Sequence, residues 1–193
     1  MGEIVEISCI TKNRDCVVNL YKYMKDIFSK ENISEKIEIM DNWCYENLFE
    51  LDDFDIYKIK EYMESKIILI TDIIADGQKG LNIEPLSKNC YNIEIWFNQK
   101  NEIYDDINDL LLQLIVENMM DDIDLIAIGK EIVFDYDEDF EQIDKKSHNI
   151  DTWIVAEKFL KNKNIKTYHE YDIQKTIVGK NVIFIMSLRK TNS

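Results

Sequence analysis

Between Glu102 and Glu141 the chain carries fourteen carboxylates and one lysine, Lys130, a net of −13 out of −15 for all 193 residues. A stretch so charged can fold only if its apolar residues are segregated from the acids, and the spacing here does that. Ile103, Ile107, Leu110, Leu111 and Leu114 recur at the helical period and predict a helix over Tyr104–Met120 with a core stripe. The opposite face carries Asp105, Asp109, Leu112, Val116 and Met120, acidic in the first turns and apolar in the last two. Asp105, Asp106 and Asp109 stand where a helix N-terminus favours negative charge. The late apolar face leaves two readings. Another layer of the same chain covers it, or another molecule does.

The segment that follows, Asp124–Phe140, reads as sheet. Leu125-Ile126-Ala127-Ile128 is continuously apolar, as in a strand covered on both faces, and Gly129-Lys130 predicts a turn. Beyond it Ile132, Phe134, Tyr136 and Phe140 share one face, and Asp135, Asp137, Asp139 and Glu141 the other. Carboxylates two apart on a strand stand roughly 6.5–7 Å from each other, inside a Debye length, so such a row repels itself until a cation binds. A hydrated solvent face is the alternative. Upstream, Ile93, Ile95 and Phe97 alternate with Glu94 and Trp96, which puts Trp96 on the less buried face, either covered by a helix or serving as an interface anchor. The candidate partner-binding set is therefore Trp96, Asp105, Asp106, Asp109, Asp135, Tyr136, Asp137, Asp139 and Glu141.

From the N-terminus, Val5, Ile7 and Cys9 alternate with Glu6 and Ser8 as a half-buried strand, and Arg14–Lys30 follows as an amphipathic helix. Ile37–Ile39 is a short strand. Residues 41–53 are irregular, with Trp43, Tyr45 and Phe49 read as aromatics pinning a loop. A helix begins near Asp52 and Asp53, and Lys66–Thr71 is a buried strand. Asp151–Lys163 predicts a last helix, and Lys166–Asp172 and Thr176–Leu188 strands, the latter turned at Gly179-Lys180-Asn181. Strand, helix, strand, helix, strand thus runs twice. The expected fold is α+β, with mixed sheets and about four helices, in two pseudo-repeated halves at most. One domain over 1–193 is expected, divisible only into 1–75 and 88–193 at a loop over 76–87.

Catalytic signatures are lacking. There is no GxSxG, GxGxxG, Walker loop or HExxH, so no catalytic residue, metal ligand or cofactor is assigned. Asp135, Asp137 and Asp139 begin like a calcium loop, but Phe140 stands where glycine is needed and Lys146 where glutamate is. Cys9, Cys16, Cys44 and Cys90 form no CxxC pair and read as reduced core residues. No apolar run reaches membrane-spanning length and the N-terminus lacks signal-peptide regions, so a cytoplasmic protein is expected.

The acidity excludes direct binding to nucleic acid or anionic membrane and favours a basic protein partner. Charge is also polarised: 142–193 holds ten Lys/Arg against five Asp/Glu, so 1–141 carries −20. A chain of this size, strongly acidic and free of catalytic motifs, resembles the immunity proteins of bacterial toxin systems. That resemblance implies a stoichiometric inhibitor whose acidic face plugs a basic, nuclease-like toxin; burial of the Leu112, Val116 and Met120 face within the chain favours a monomer over a homodimer. An acidic nucleic-acid mimic that inhibits a DNA- or RNA-binding protein uses the same charge. A Mg²⁺-dependent phosphoryl-transfer enzyme built on the Asp-rich strand is the third reading.

Overall fold

Alternation of apolar and polar residues, more than helical periodicity, organises this protein. A computed structural model describes residues 3–28, 35–72, 79–99, 112–133, 148–160 and 171–189. Ten strands make one sheet: β1 (Glu3–Thr11), β2 (Glu35–Met40), β3 (Phe49–Leu51), β4 (Ile67–Asp72), β5 (Lys79–Ser87), β6 (Cys90–Gln99), β7 (Ile123–Val133), β8 (His148–Ala156), β9 (Tyr171–Val178) and β10 (Asn181–Leu188). Their order across the sheet is β3-β2-β4-β5-β6-β1-β7-β8-β10-β9. Every neighbouring pair is antiparallel.

Register follows from burial. Ile7 of β1 lies between Ile95 of β6 and Ile128 of β7, and further out Ile83 faces Ile93 and Ile37 faces Ile70. A slip of one residue would turn every one of these side chains to the other face. This face is covered by α1 (Asp15–Phe28), α2 (Ile56–Tyr62) and α3 (112–119). Cys16, Val17 and Leu20 of α1, Ile59 of α2, and Ile115 and Met119 of α3 complete the main core with them. Asp55 caps α2 by accepting from Tyr57 N and Lys58 N. On the opposite face a smaller core gathers Ile10, Leu125, Ala127, Trp153, Val155 and Met186 with Leu160 of the short α4 (Glu157–Leu160).

The fold is therefore mostly β, one antiparallel sheet with few helices, and the expected α+β fold of mixed sheets and about four helices is corrected. Of the helix predicted over 151–163, where apolar side chains recur at helix-like intervals, residues 157–160 are helical as α4, residues 151–156 are strand, and 161–163 lie outside the described residues. In fact β8 is buried on both faces, with Trp153 and Val155 in the smaller core and Ile154 and Ala156 in the main one. A strand without a polar side loses the period of two that would mark it. The predicted loop over 76–87 is also corrected, since 79–87 is strand β5 with Pro85 inside it. The ladder shifts register between Pro85 and Ser87, which is how a strand accommodates a missing N–H donor. Likewise Gly129-Lys130 does not turn the chain. β7 continues through it with an irregular ladder up to Val133, and Glu131 takes a left-handed φ of 52°.

Leu112 and Val116 pack against the main core and Met120 is buried in it, as the intrachain reading of that helix face expected. The phase differs from the predicted stripe, because Ile115 and Met119 are the fully buried residues and Leu114 is only half-buried.

Candidate partner interface

Of the predicted contact residues, Asp105, Asp106, Asp109, Asp135, Tyr136, Asp137, Asp139 and Glu141 lie outside the described residues. Trp96 is described, and it is half-buried. It stands directly opposite Gly80 of β5, and a Cβ on Gly80 would come within 2.5 Å of its indole carbons. The indole thus lies across the glycine, and its Nε1 donates to Asn82 Oδ1 at 3.1 Å. A bare glycine backbone gives the ring a flat seat that no side chain could offer.

Trp96 belongs to a polar row on the sheet face away from α1. Glu6 of β1, Glu94 of β6 and Glu84 of β5 occupy that face on three adjacent strands. Asn82 Nδ2 donates to Glu94 Oε1 at 2.8 Å and Ser8 Oγ donates to Glu94 Oε2 at 3.1 Å. Trp43 Nε1 donates to Glu84 Oε1 at 3.3 Å, and Ile132 N donates to Glu6 Oε2. Burial raises all three carboxyls above their ordinary range. Glu6 is raised furthest, to about 7, by burial first and then by the charge of Glu94. Beside Glu84, Asn92 Oδ1 is buried without a hydrogen-bond partner. The row is thus rich in acceptors and poor in donors.

In the described part of the acidic stretch, Lys158 lies 3.4 Å from Asp124, and Lys180 lies 2.8 Å from Asp121, which also accepts from Asn181 Nδ2 at 2.7 Å. Lysines of α4 and of the β9–β10 turn therefore reach back to that stretch. These contacts hold the Asp121 carboxyl below its usual range. The segment from Asp41 to Tyr57 is different, with six carboxylates and no Lys, Arg or His of its own. Lys66 pairs with Asp41, and Lys36 lies 3.1 Å from Glu50, but Asp52 and Asp53 are exposed and meet no cation among the described residues.

The aromatics there do not pin a loop inward as predicted: Trp43, Tyr45 and Phe49 are exposed. Sequence reasoning missed Glu6, Glu84 and Glu94 as a group. The signal was present, since Glu6, Glu84 and Glu94 each alternate with core isoleucines, but only strand order reveals that they are neighbours.

No cluster of three or more His, Cys, Asp or Glu able to hold a metal is found among the described residues. Burial pushes the Cys16 thiol up to about 11 and the Cys9 thiol higher still, so neither supplies a thiolate near neutral pH. No described helix is long and apolar enough to cross a membrane.

Comparison with protein families and with curated proteins finds no match to this sequence. Among solved structures the fold is similar to that of the Pseudomonas aeruginosa T6SS protein PA0821, with a TM-score of 0.57 and 7% identity. The likeness covers 98% of this chain and 69% of that one. At 7% identity the likeness is one of fold alone.

Proposed function

We propose that this protein is a stoichiometric inhibitor of a basic protein partner, of the kind that confers immunity in a bacterial toxin system, and that it acts as a monomer in the cytoplasm. The observation that carries the reading is the charge left over: a chain of net −15 matches Asp121 and Asp124 internally yet leaves exposed carboxylates among exposed aromatics over 41–57. Maintaining unmatched like charge on a folded surface opposes compaction, and a basic partner relieves it. The likeness to a T6SS protein supports a toxin-system setting. Blocking a basic toxin asks for rapid, steered association and needs no catalytic group, in keeping with the lack of catalytic motifs.

Co-expression tests this. Each toxin-like reading frame beside the gene is expressed with and without this protein, and growth is scored. Restored growth together with a 1:1 complex in size-exclusion chromatography is expected for one of them. Continued growth arrest and no complex with any neighbouring product would sink the proposal.

A further inference from the structure

Among the described residues β3 is the terminal strand of the sheet and pairs only with β2, so none of them covers its outer backbone edge. The turn that leads into it is rigidly hydrogen-bonded. Asp41 N donates to Glu46 O at 2.9 Å, Tyr45 N to Asn42 O at 3.1 Å, and Cys44 N to Asn42 Oδ1 at 2.9 Å. Tyr45 and Asn47 both take left-handed backbone, with φ of 61° and 51°, a strained choice for a tyrosine. The result is a preformed display. Trp43, Tyr45, Leu48 and Phe49 are 44, 56, 41 and 38% exposed, and with Tyr57 at 83% they make five of the seven large hydrophobics exposed among the described residues. Around them stand the six carboxylates of 41–57.

We infer that this end of the sheet, from Trp43 to Asp53, docks an extended segment of a partner protein that bears lysine or arginine alternating with apolar residues. The inference rests on the inhibitor reading for the identity of the partner, and on the surface alone for its chemistry. An extended segment can add alongside the open edge of β3 by main-chain hydrogen bonds. Its apolar side chains then meet Tyr45 and Leu48, and its cations meet Glu46, Asp52 and Asp53. Charge selects this occupant. A second copy of the chain would bring the same six carboxylates into contact, and a nucleic acid or anionic membrane would be repelled alike. The opposite edge, β9, is eight residues long and exposes Ile173 and Ile177, but it presents Lys175 there. A basic segment has less reason to choose it.

A peptide alternating arginine with valine, titrated into isotope-labelled protein, is the probe, with a glutamate–valine peptide as control. Amide shifts confined to 41–57 are expected from the first and none from the second. The triple variant Glu46→Lys, Asp52→Lys, Asp53→Lys is expected to weaken the arginine peptide about tenfold or more. Tyr45→Gly guards against misfolding, because glycine takes the left-handed conformation without strain. It is expected to keep or raise the melting temperature while weakening the peptide severalfold. Shifts centred on β9 or on the acids of 102–111 and 134–147 would overturn the surface, as would full affinity in both variants. Growth rescue separates the two levels: a triple variant that still protects cells removes this surface and leaves the inhibitor reading standing. Peptide docking here with no protected toxin does the reverse.

Discussion

Gly80 and Trp96 face each other across β5 and β6, and each limits what the other can be. A Cβ at position 80 would lie 2.5 Å from two indole carbons and 2.7 Å from the Ile70 carbonyl oxygen. The ring can tilt away but the carbonyl belongs to a central ladder. Gly80→Ala is therefore expected to cost about 1–3 kcal/mol of stability. Trp96→Ala should cost about 1.5–3 kcal/mol through lost apolar burial. Because removing the ring relieves one of the two clashes, the double variant should lose less than the sum, and urea denaturation of the four proteins measures the coupling. Strict additivity would mean that the indole does not seat on the glycine. Glu6 supplies a second residue-scale expectation. Its folded pKa of about 7 lies above the ordinary value of 4.5, with burial the main cause. The folded protein thus binds the proton more tightly than the unfolded chain, so this contribution is present in full below about 4.5 and lost as pH rises through about 7. Glu6→Gln should raise stability at pH 8 and flatten the fall between these limits. Thermal melts across that range check it, and an unchanged pH profile would place the titration elsewhere.

At the scale of elements, strands with one polar face were legible and strands with none were not. Glu6 and Ser8 against Ile7 and Cys9 mark β1, and Glu94 and Trp96 against Ile93 and Ile95 mark β6, so both were read near their observed places. β8 holds Trp153 in one core and Ile154 in the other, and its spacing imitates a helix. β5 was hidden by Pro85 and by the glycine-bearing stretch before it. Helix α3 is legible as a helix but with the wrong face inward: Leu112, Ile115, Val116, Met119 and Met120 turn to the core, nearly the face placed opposite the predicted stripe, because Leu111 and Leu114 draw that stripe toward themselves. The site was less legible than the fold: Trp96 was picked out by parity alone, while the Glu6–Glu94–Glu84 row needs the strand order β5-β6-β1, which no local pattern encodes. The phase of α3 is directly measurable. Ile115 is fully buried and Leu114 half-buried, so Ile115→Ala should cost about 2–5 kcal/mol and Leu114→Ala clearly less. Equal losses would return the stripe to its predicted phase.

For the whole molecule, the decisive quantity is where the uncompensated charge lies. Residues 1–141 carry −20 and 142–193 carry +5, yet the lysines at 158 and 180 are already engaged with Asp124 and Asp121. Folding therefore draws part of the basic segment onto the acidic one. The 41–57 end has less of this help, since Lys36 and Lys66 meet only Glu50, Glu38 and Asp41 there. A basic partner approaching from solution meets an attractive field that salt screens over about 8–10 Å. Contacts made after docking, among Tyr45 and Leu48, are short-ranged and screened far less. The two contributions separate kinetically. The association rate with the cognate toxin should fall about tenfold or more between 50 and 500 mM NaCl, while the dissociation rate changes little. Leu48→Ala should show the opposite signature, a faster dissociation with association nearly intact. Surface plasmon resonance reads both rates. An association rate indifferent to salt would mean that the acidity of this chain serves something other than meeting its partner.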